Sequence, residues 1–332
     1  HGRSWKRRRV MTRTLPLVLL LALAGACSDA PRSAVDTGIP PEVVQYAADW
    51  PLPGRDYLNS RATTDSPIDA SNVGSLSVAW QLPLPGRGAY GNVSTAPIIA
   101  GDTVYLEDLS STIRAIDRET GAVKWTKSYP GFVIGPNGVA LGWGKIFAIR
   151  ETDAVVALDA ATGEELWARS IKRTVSDGID IQPTVYGDLV LVSSVPISLK
   201  GAYKAGDRGI LFALRQDTGE IVWEFDTIES PDLWGHPEIN SGGGAWYPPS
   251  IDTQRGRVYW GIANPAPFPG TPEFPNGESR PGPNLYTDSI VTLDVSRSTV
   301  ESRARAMSRS APAGGHGSFS PATWRPTASL SR

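Results

Sequence analysis

The sequence predicts an all-β fold, a β-propeller built from four-stranded antiparallel blades. Three observations predict it. Residues 115–125, 157–167 and 213–223 repeat nearly the same text: an Ala, a Gly six residues later and a Trp ten residues after the Ala. A second hairpin stands upstream, where residues 98–106 read strand, Gly-Asp turn, strand, and residues 184–192 read the same. Trp80, Trp125, Trp167 and Trp223 recur at intervals of roughly 40–55 residues, the length of a propeller blade. A sandwich would not repeat its turn chemistry this closely, and the β-branched alternation excludes a helical solenoid. About four to five blades are expected in this chain.

The elements follow in order. Met11 and Arg13 lead into the apolar run from Leu15 to Ala24, which is too short to span a bilayer and suits a signal h-region. Ala24-Gly25-Ala26 reads as a cleavage site, so 1–26 is a signal segment, in which 1–10 either lengthen the n-region or lie upstream of a true start at Met11. Cys27 follows it and is the only cysteine, which rules out an intrachain disulfide. Its position points to a bacterial lipoprotein signal and a membrane anchor; a spare thiol behind an ordinary secretory signal is the other reading. Either way the chain is expected to be exported, to the periplasm or cell surface. Residues 27–45 are then a linker.

The propeller is expected over 46–295. Gly142-Trp143-Gly144-Lys145 and Arg255-Gly256-Arg257 mark the first turn in two more blades. In the third turn Asp117 and Asp159 can accept backbone N–H groups, and Gly121, Gly163 and Gly219 can take a positive φ. Arg215 breaks the Asp pattern, so Asp217 or Thr218 takes that role. Trp125, Trp167 and Trp223 close the fourth strands and are expected to be buried between blades. Thr292-Leu293-Asp294 opens another copy, but Ser298 and Ser302 stand where Gly and Trp are due. Residues 296–332 are expected to be an irregular tail, a frameshift or truncation in mid-blade, with a natural disordered tail as the alternative.

A net charge of −2 gives no electrostatic case for nucleic acid. Three scattered His offer no zinc spacing, and no Ser/His/Asp arrangement stands out. The long segments, 193–209, 224–249 and the proline-rich 265–288, all fall at the end opposite the short turns, and insertions gathered on one face form a binding face. On that rim, Gly242-Gly243-Gly244-Ala245-Trp246 enters an innermost strand. Trp246 is either a stacking surface for a planar ligand or a cover for the blade top. Asn264 is either a hard-cation ligand or a turn-stabilising residue. Lys200, Lys204 and Arg208 make one insertion basic, which suits a polyanionic small ligand or a solvated loop.

The segment 50–61, the D-x-x-T-G-x-x-x-W repeats, the glycine run ending at Trp246, Asn264-Pro265-Ala266-Pro267 and residues 280–286 together resemble the pyrroloquinoline-quinone (PQQ)-dependent alcohol dehydrogenases. The resemblance covers about residues 50–295. It implies an eight-bladed propeller that holds PQQ above a calcium ion, an alcohol-type substrate, hydride transfer to the quinone, an Asp base and an electron acceptor. It would make Trp246, with Gly244 and Ala245, the quinone-binding residues and Asn264 a calcium (Ca2+) ligand, with the catalytic Asp beyond Val295. The departures are Val192-Ser193-Ser194-Val195-Pro196 where the family has a calcium-binding Glu, Pro136-Asn137-Gly138 where it has a cation, and no adjacent cysteine pair. These leave a second expectation, a non-catalytic propeller lipoprotein that acts as an envelope scaffold or binding module.

Overall fold

The structure is a computed structural model, and it describes residues 38–300 apart from 85–90, 130, 132, 134, 175–176, 197, 200–201, 204–205 and 269. Four antiparallel sheets follow one another along the chain. The first is β1 (Ile98–Ala100), β2 (Thr103–Glu107), β3 (Thr112–Asp117) and β4 (Val123–Ser128). The second is β5 (Ala140–Gly142), β6 (Lys145–Arg150), β7 (Ala154–Asp159) and β8 (Glu165–Ser170). In the third, β9 (Asp177–Gly178) sits on the end of a sheet formed by β10 (Thr184–Tyr186), β11 (Leu189–Pro196), β14 (Ile210–Arg215) and β15 (Ile221–Asp226). A small hairpin, β12 (Ser198–Leu199) with β13 (Ala202–Tyr203), lies in its long loop. After β16 (Ser241–Gly242), the fourth sheet takes β17 (Ser250–Asp252), β18 (Arg257–Ile262), β20 (Ser289–Asp294) and β21 (Arg297–Val300), with β19 (Pro265–Ala266) returning to pair with β16. Each sheet has up-and-down order, and the first three carry a register shift at the same place, at Ala115/Ile116, Ala157/Leu158 and Ala213/Leu214, while that of the fourth falls one residue later, at Leu293/Asp294.

The four-bladed expectation is therefore met, with one boundary moved. Pairing continues past Val295, because β21 joins β20 through Asp294↔Arg297 and Leu293↔Val300. Backbone pairing does not need the missing Gly and Trp to place this short strand. The tail beyond it, like the signal segment and Cys27, lies outside the described residues.

The turn chemistry explains why the blades repeat. Asp117 Oδ1 accepts the Thr120 amide at 2.9 Å and its hydroxyl at 2.8 Å, and Asp159 Oδ1 accepts the same two groups of Thr162. Hydrogen bonds from Thr120 and from Thr162 hold the Asp117 and Asp159 carboxyls below the usual range. In the third copy Thr218 Oγ1 accepts the Glu220 amide at 3.3 Å, as Thr120 and Thr162 do for Ala122 and Glu164, and the backbone bonds between Arg215 and Gly219 and Glu220 hold the turn; neither Asp217 nor Thr218 reproduces the Asp contacts there.

The repeated Trp does more than close a strand. Its indole N–H donates to the residue after the Asp position of the next blade: Trp80 to Arg118 O at 2.9 Å, Trp125 to Ala160 O at 3.0 Å, Trp167 to Gln216 O at 3.1 Å and Trp223 to Val295 O at 2.9 Å. The ring then lies on the glycine of that turn. A Cβ on Gly121, Gly163 or Gly219 would come within 2.6, 2.7 and 2.7 Å of Trp80, Trp125 and Trp167. Glycine is required there by the ring above it as well as by its positive φ. Trp223 is buried, as expected, but Trp125 and Trp167 are half-buried, because each seals the outer edge of a blade interface rather than its middle.

Between blades the core is aliphatic. Tyr105, Ile113 and Ala115 of the first blade pack on Leu141, Ile146, Val156 and Leu158 of the second. The opposite face of the second blade, the third blade and Val258, Trp260, Val291 and Leu293 of the fourth form one larger cluster. The far face of the fourth blade is open, with Tyr259 and Ile290 exposed.

A strap, residues 38–61, crosses the inner edge of all four blades. Asp49 Oδ2 accepts Gly101 N–H at 2.9 Å and Trp50 pairs with Ile99 on the first blade. The Glu42 carboxylate receives Trp143 and Gly144 N–H on the second. Tyr57 donates its hydroxyl to Val185 O on the third at 2.8 Å, and its carbonyl accepts Ile251 N–H on the fourth at 2.7 Å. Leu52 and Tyr57 are buried in the larger core.

Candidate functional site

The innermost strand of every blade starts at the long-loop end, and the residues just before these starts converge. Ser94 precedes β1, Asn137 precedes β5, Gln182 precedes β10 and Trp246 precedes β17; with Asn59 and Arg61 of the strap they line a pocket of about 120 Å³. Radial repetition brings equivalent positions of four blades to one place, so the pocket follows from the repeat itself.

Trp246 is half-buried at this pocket, with Cζ3 only 3.0 Å from where a Cβ on Gly135 would stand. The buried Asp180 side chain lies beside the same point, at 3.2 Å. The glycine run and the Asn264 segment, distant in sequence, are bonded to each other: Ala263 N–H donates to Gly244 O at 2.8 Å, Gly243 N–H to Asn264 O at 3.2 Å, and Gly242 faces Pro265. A Cβ on Gly244 would stand 2.7 Å from Val195, so only glycine fits. Ala245 is fully buried, and its carbonyl accepts the Ser193 hydroxyl. Asn264 donates its amide nitrogen to Pro265 O at 2.9 Å. Arg208 is committed to Asp226 at 3.0 Å and to the carbonyls of Ser230 and Pro231, which removes it from any free basic patch. Lys200 and Lys204 lie outside the described residues.

Below Asn137 sits a second polar layer that the sequence did not single out. Glu107 is fully buried, with Oε2 accepting Gly138 N–H at 3.2 Å. Burial pushes its carboxyl well above the usual range, against the opposing pull of its backbone hydrogen bonds. Neighbouring Asp108 pairs with Arg114 at 2.7 Å. Arg61 ends the motif segment 50–61 but is not singled out within it, and no local motif marks Gln182 or Glu107. The signal for Gln182 is positional, since it stands two residues before an innermost strand, as Ser94 and Asn137 stand just before theirs.

The residues present fit a planar group: a half-exposed indole, held by close packing against Gly135, and the buried Asn137 Oδ1, which has no partner among the described residues. They do not fit a calcium ion, which takes about six to eight oxygens. Among the described residues no cluster of three carboxylate, His or Cys groups exists, and Ser193 and Ser194 are already engaged with backbone atoms.

Comparison with known proteins agrees with this architecture. Residues 50–131 match the family model described as the β-propeller domain of glucose/ethanol/alcohol dehydrogenase, and residues 111–241 match that described as outer membrane protein assembly factor BamB. The quinohemoprotein alcohol dehydrogenase of Comamonas testosteroni is 29% identical over 276 residues, covering 74% of this chain and 37% of that protein. A polyvinylalcohol dehydrogenase of a Pseudomonas species is also 29% identical, over 68% of this chain and 37% of its own length. The crystal structure of the Comamonas enzyme superposes with a TM-score of 0.64 at 25% identity, over 76% of this chain and 40% of that one. A europium-containing methanol dehydrogenase shares the fold at a TM-score of 0.64 and 23% identity, over 78% and 49% of the two chains. The chain thus spans less than half the length of these relatives. With its repeated blade and Trp-on-Gly lock, the chain is a β-propeller that is similar to the quinone-linked alcohol dehydrogenases.

Proposed function

We propose that this chain builds one wall of the cofactor site of an exported, lipid-anchored quinoprotein dehydrogenase acting on an alcohol. The observation that carries the reading is the convergence of four blade entries on one pocket walled by Trp246. When bound, PQQ supplies the hydride acceptor. The chain's own part is to offer the Trp246 face for stacking, to hold that face through the Gly242–Asn264 pairing, and to present polar groups to the edge of the ligand. Calcium has no part in this reading, because one Asn264 oxygen is far short of a calcium shell, and no described residue is assigned as the base. The electron acceptor is a separate partner.

One observation favours a second reading, a non-catalytic envelope scaffold. Serines stand where a calcium-binding carboxylate is due, and Asn137 stands where a cation is due. The match to a model described as an assembly factor agrees with it. Titrating PQQ into the chain and following tryptophan fluorescence separates the two. Saturable quenching is expected, and Trp246→Ala is expected to weaken binding about tenfold, the upper range for one aromatic stacking contact. Absence of saturable quenching would sink the quinone reading and leave the scaffold.

A further inference from the structure

The side-chain amides that line the pocket share one polarity. Gln182 donates its amide nitrogen to two backbone carbonyls, Ala96 O at 2.9 Å and Val139 O at 2.8 Å. Asn137 donates its amide nitrogen to Asp108 O at 3.0 Å, and Asn59 donates to Pro248 O at 3.3 Å. Carbonyls only accept, so none of these amides can be turned around without setting oxygen against oxygen. Ser94 likewise donates its hydroxyl to Gly135 O at 3.1 Å. What remains for a ligand is a set of oxygen acceptors. One of them, Asn137 Oδ1, is on a side chain 1% exposed and has no partner among the described residues. A buried acceptor left unpaired costs about 1–3 kcal/mol, so a ligand donor in this place is favoured.

Among the lining residues, Arg61 is the one charged side chain. It is exposed, at the strap end of the pocket, and its backbone is fixed in a left-handed turn (φ 50°) by a bond from its N–H to Gly54 O at 3.0 Å. Asp180 lies at the opposite, inner side beside Trp246, and Glu107 lies beneath Asn137. Carboxyl groups therefore stand inside and a guanidinium stands outside.

We infer that Arg61 is a specificity-determining residue that takes the anionic edge of a planar ligand at the strap side, while Asn137 and Gln182 accept from its N–H or O–H edge inside. This rests on the planar-ligand reading above and adds an orientation to it. A guanidinium and a carboxylate match as a planar fork, so a ligand acid group is preferred over its ester.

The test uses the full chain, with PQQ and its uncharged trimethyl ester as probes and fluorescence quenching as the readout. Arg61→Gln is expected to weaken PQQ binding about fivefold, the scale of an exposed ion pair, while changing ester binding less than twofold. Arg61→Lys is expected to recover only part of the loss, since it restores the charge but not the planar fork, and raising salt is expected to narrow the gap between wild type and Arg61→Gln. If Arg61→Gln affects both probes alike or neither, the assignment of Arg61 is overturned while the quinone reading stands. If the unsubstituted chain binds neither probe, both are overturned together.

Discussion

Gly163→Ala and Gly144→Ala form a matched pair that tests the Trp-on-Gly lock. Both glycines lie in the second blade with nearly the same φ, 74° and 70°. A methyl on Gly144 meets nothing within 4 Å, whereas one on Gly163 would come within 2.7 Å of the Trp125 ring. The shared term is the left-handed conformation, about 1–2 kcal/mol for a residue with a Cβ. It is offset by about 0.4–1 kcal/mol from the reduced entropy of the unfolded chain. Gly144→Ala is therefore expected to cost about 1 kcal/mol or less. Gly163→Ala must also displace the ring. That puts at risk the 3.0 Å indole bond to Ala160 O, about 1 kcal/mol, and a comparable amount of ring packing. The difference between the two variants is about 2 kcal/mol, or roughly 4–8 °C in Tm for a domain of this size. Thermal melts under one buffer measure it directly. Equal melting temperatures would show that the ring does not press on the turn, and the account of the lock would be wrong.

Other outcomes follow from the same structure. Glu107 is protonated in the folded chain to a higher pH than in the unfolded one, so its contribution is complete below its ordinary value of 4.5 and is lost as pH rises through the raised folded value. Glu107→Gln is thus expected to match wild type at pH 4 and to melt higher than wild type at pH 8; a deficit for the variant at pH 8 would show that the charged form is the stable one. Tyr57→Phe, which leaves the buried Val185 carbonyl without its 2.8 Å donor, is expected to cost about 1–3 kcal/mol in urea unfolding. Ile290, 65% exposed on the open face of the fourth blade beside Tyr259, is expected to drive self-association, so Ile290→Lys should lower the sedimentation-average mass at a given concentration. An unchanged mass would locate the contact elsewhere.

Much of the fold was legible because one signal was written several times. The Asp–Gly–Trp spacing gave turn, strand and neighbour contact together, whereas the turn at Arg215 keeps only the Thr bond common to all three copies and the backbone bonds, without a substitute for the Asp. The half-burial of Trp125 and Trp167 was not legible, since spacing marks an interface but not the depth at which a ring sits in it. Nor did the stop at Val295 hold, because backbone pairing needs no motif to run four residues on to Val300. Trp246, Gly244, Ala245 and Asn264 were readable as one locality because their segments lie at the same blade end, where backbone bonds join the glycine run to the Asn264 segment. The polarity of the pocket was hidden, because it depends on which carbonyls claim the amides of Asn59, Asn137 and Gln182, and those carbonyls belong to other blades or to remote loops.

The strap has a consequence for how the molecule reaches this state. Each blade is local in sequence, so each can form as it emerges and lean only on the one before it, as in other repeat arrays. Tyr57 is different: its hydroxyl and carbonyl partners, Val185 and Ile251, belong to the third and fourth blades. At about 5–20 residues per second, Tyr57 waits on the order of ten seconds for Ile251 to be synthesised. During that time Leu52 and Tyr57 are apolar side chains without a home, the kind of segment that a chaperone holds or that finds the wrong neighbour. Once docked, the strap turns a row of separately meltable units into one that must open as a whole, because freeing any single blade's inner edge breaks its contact with a segment shared by the other three.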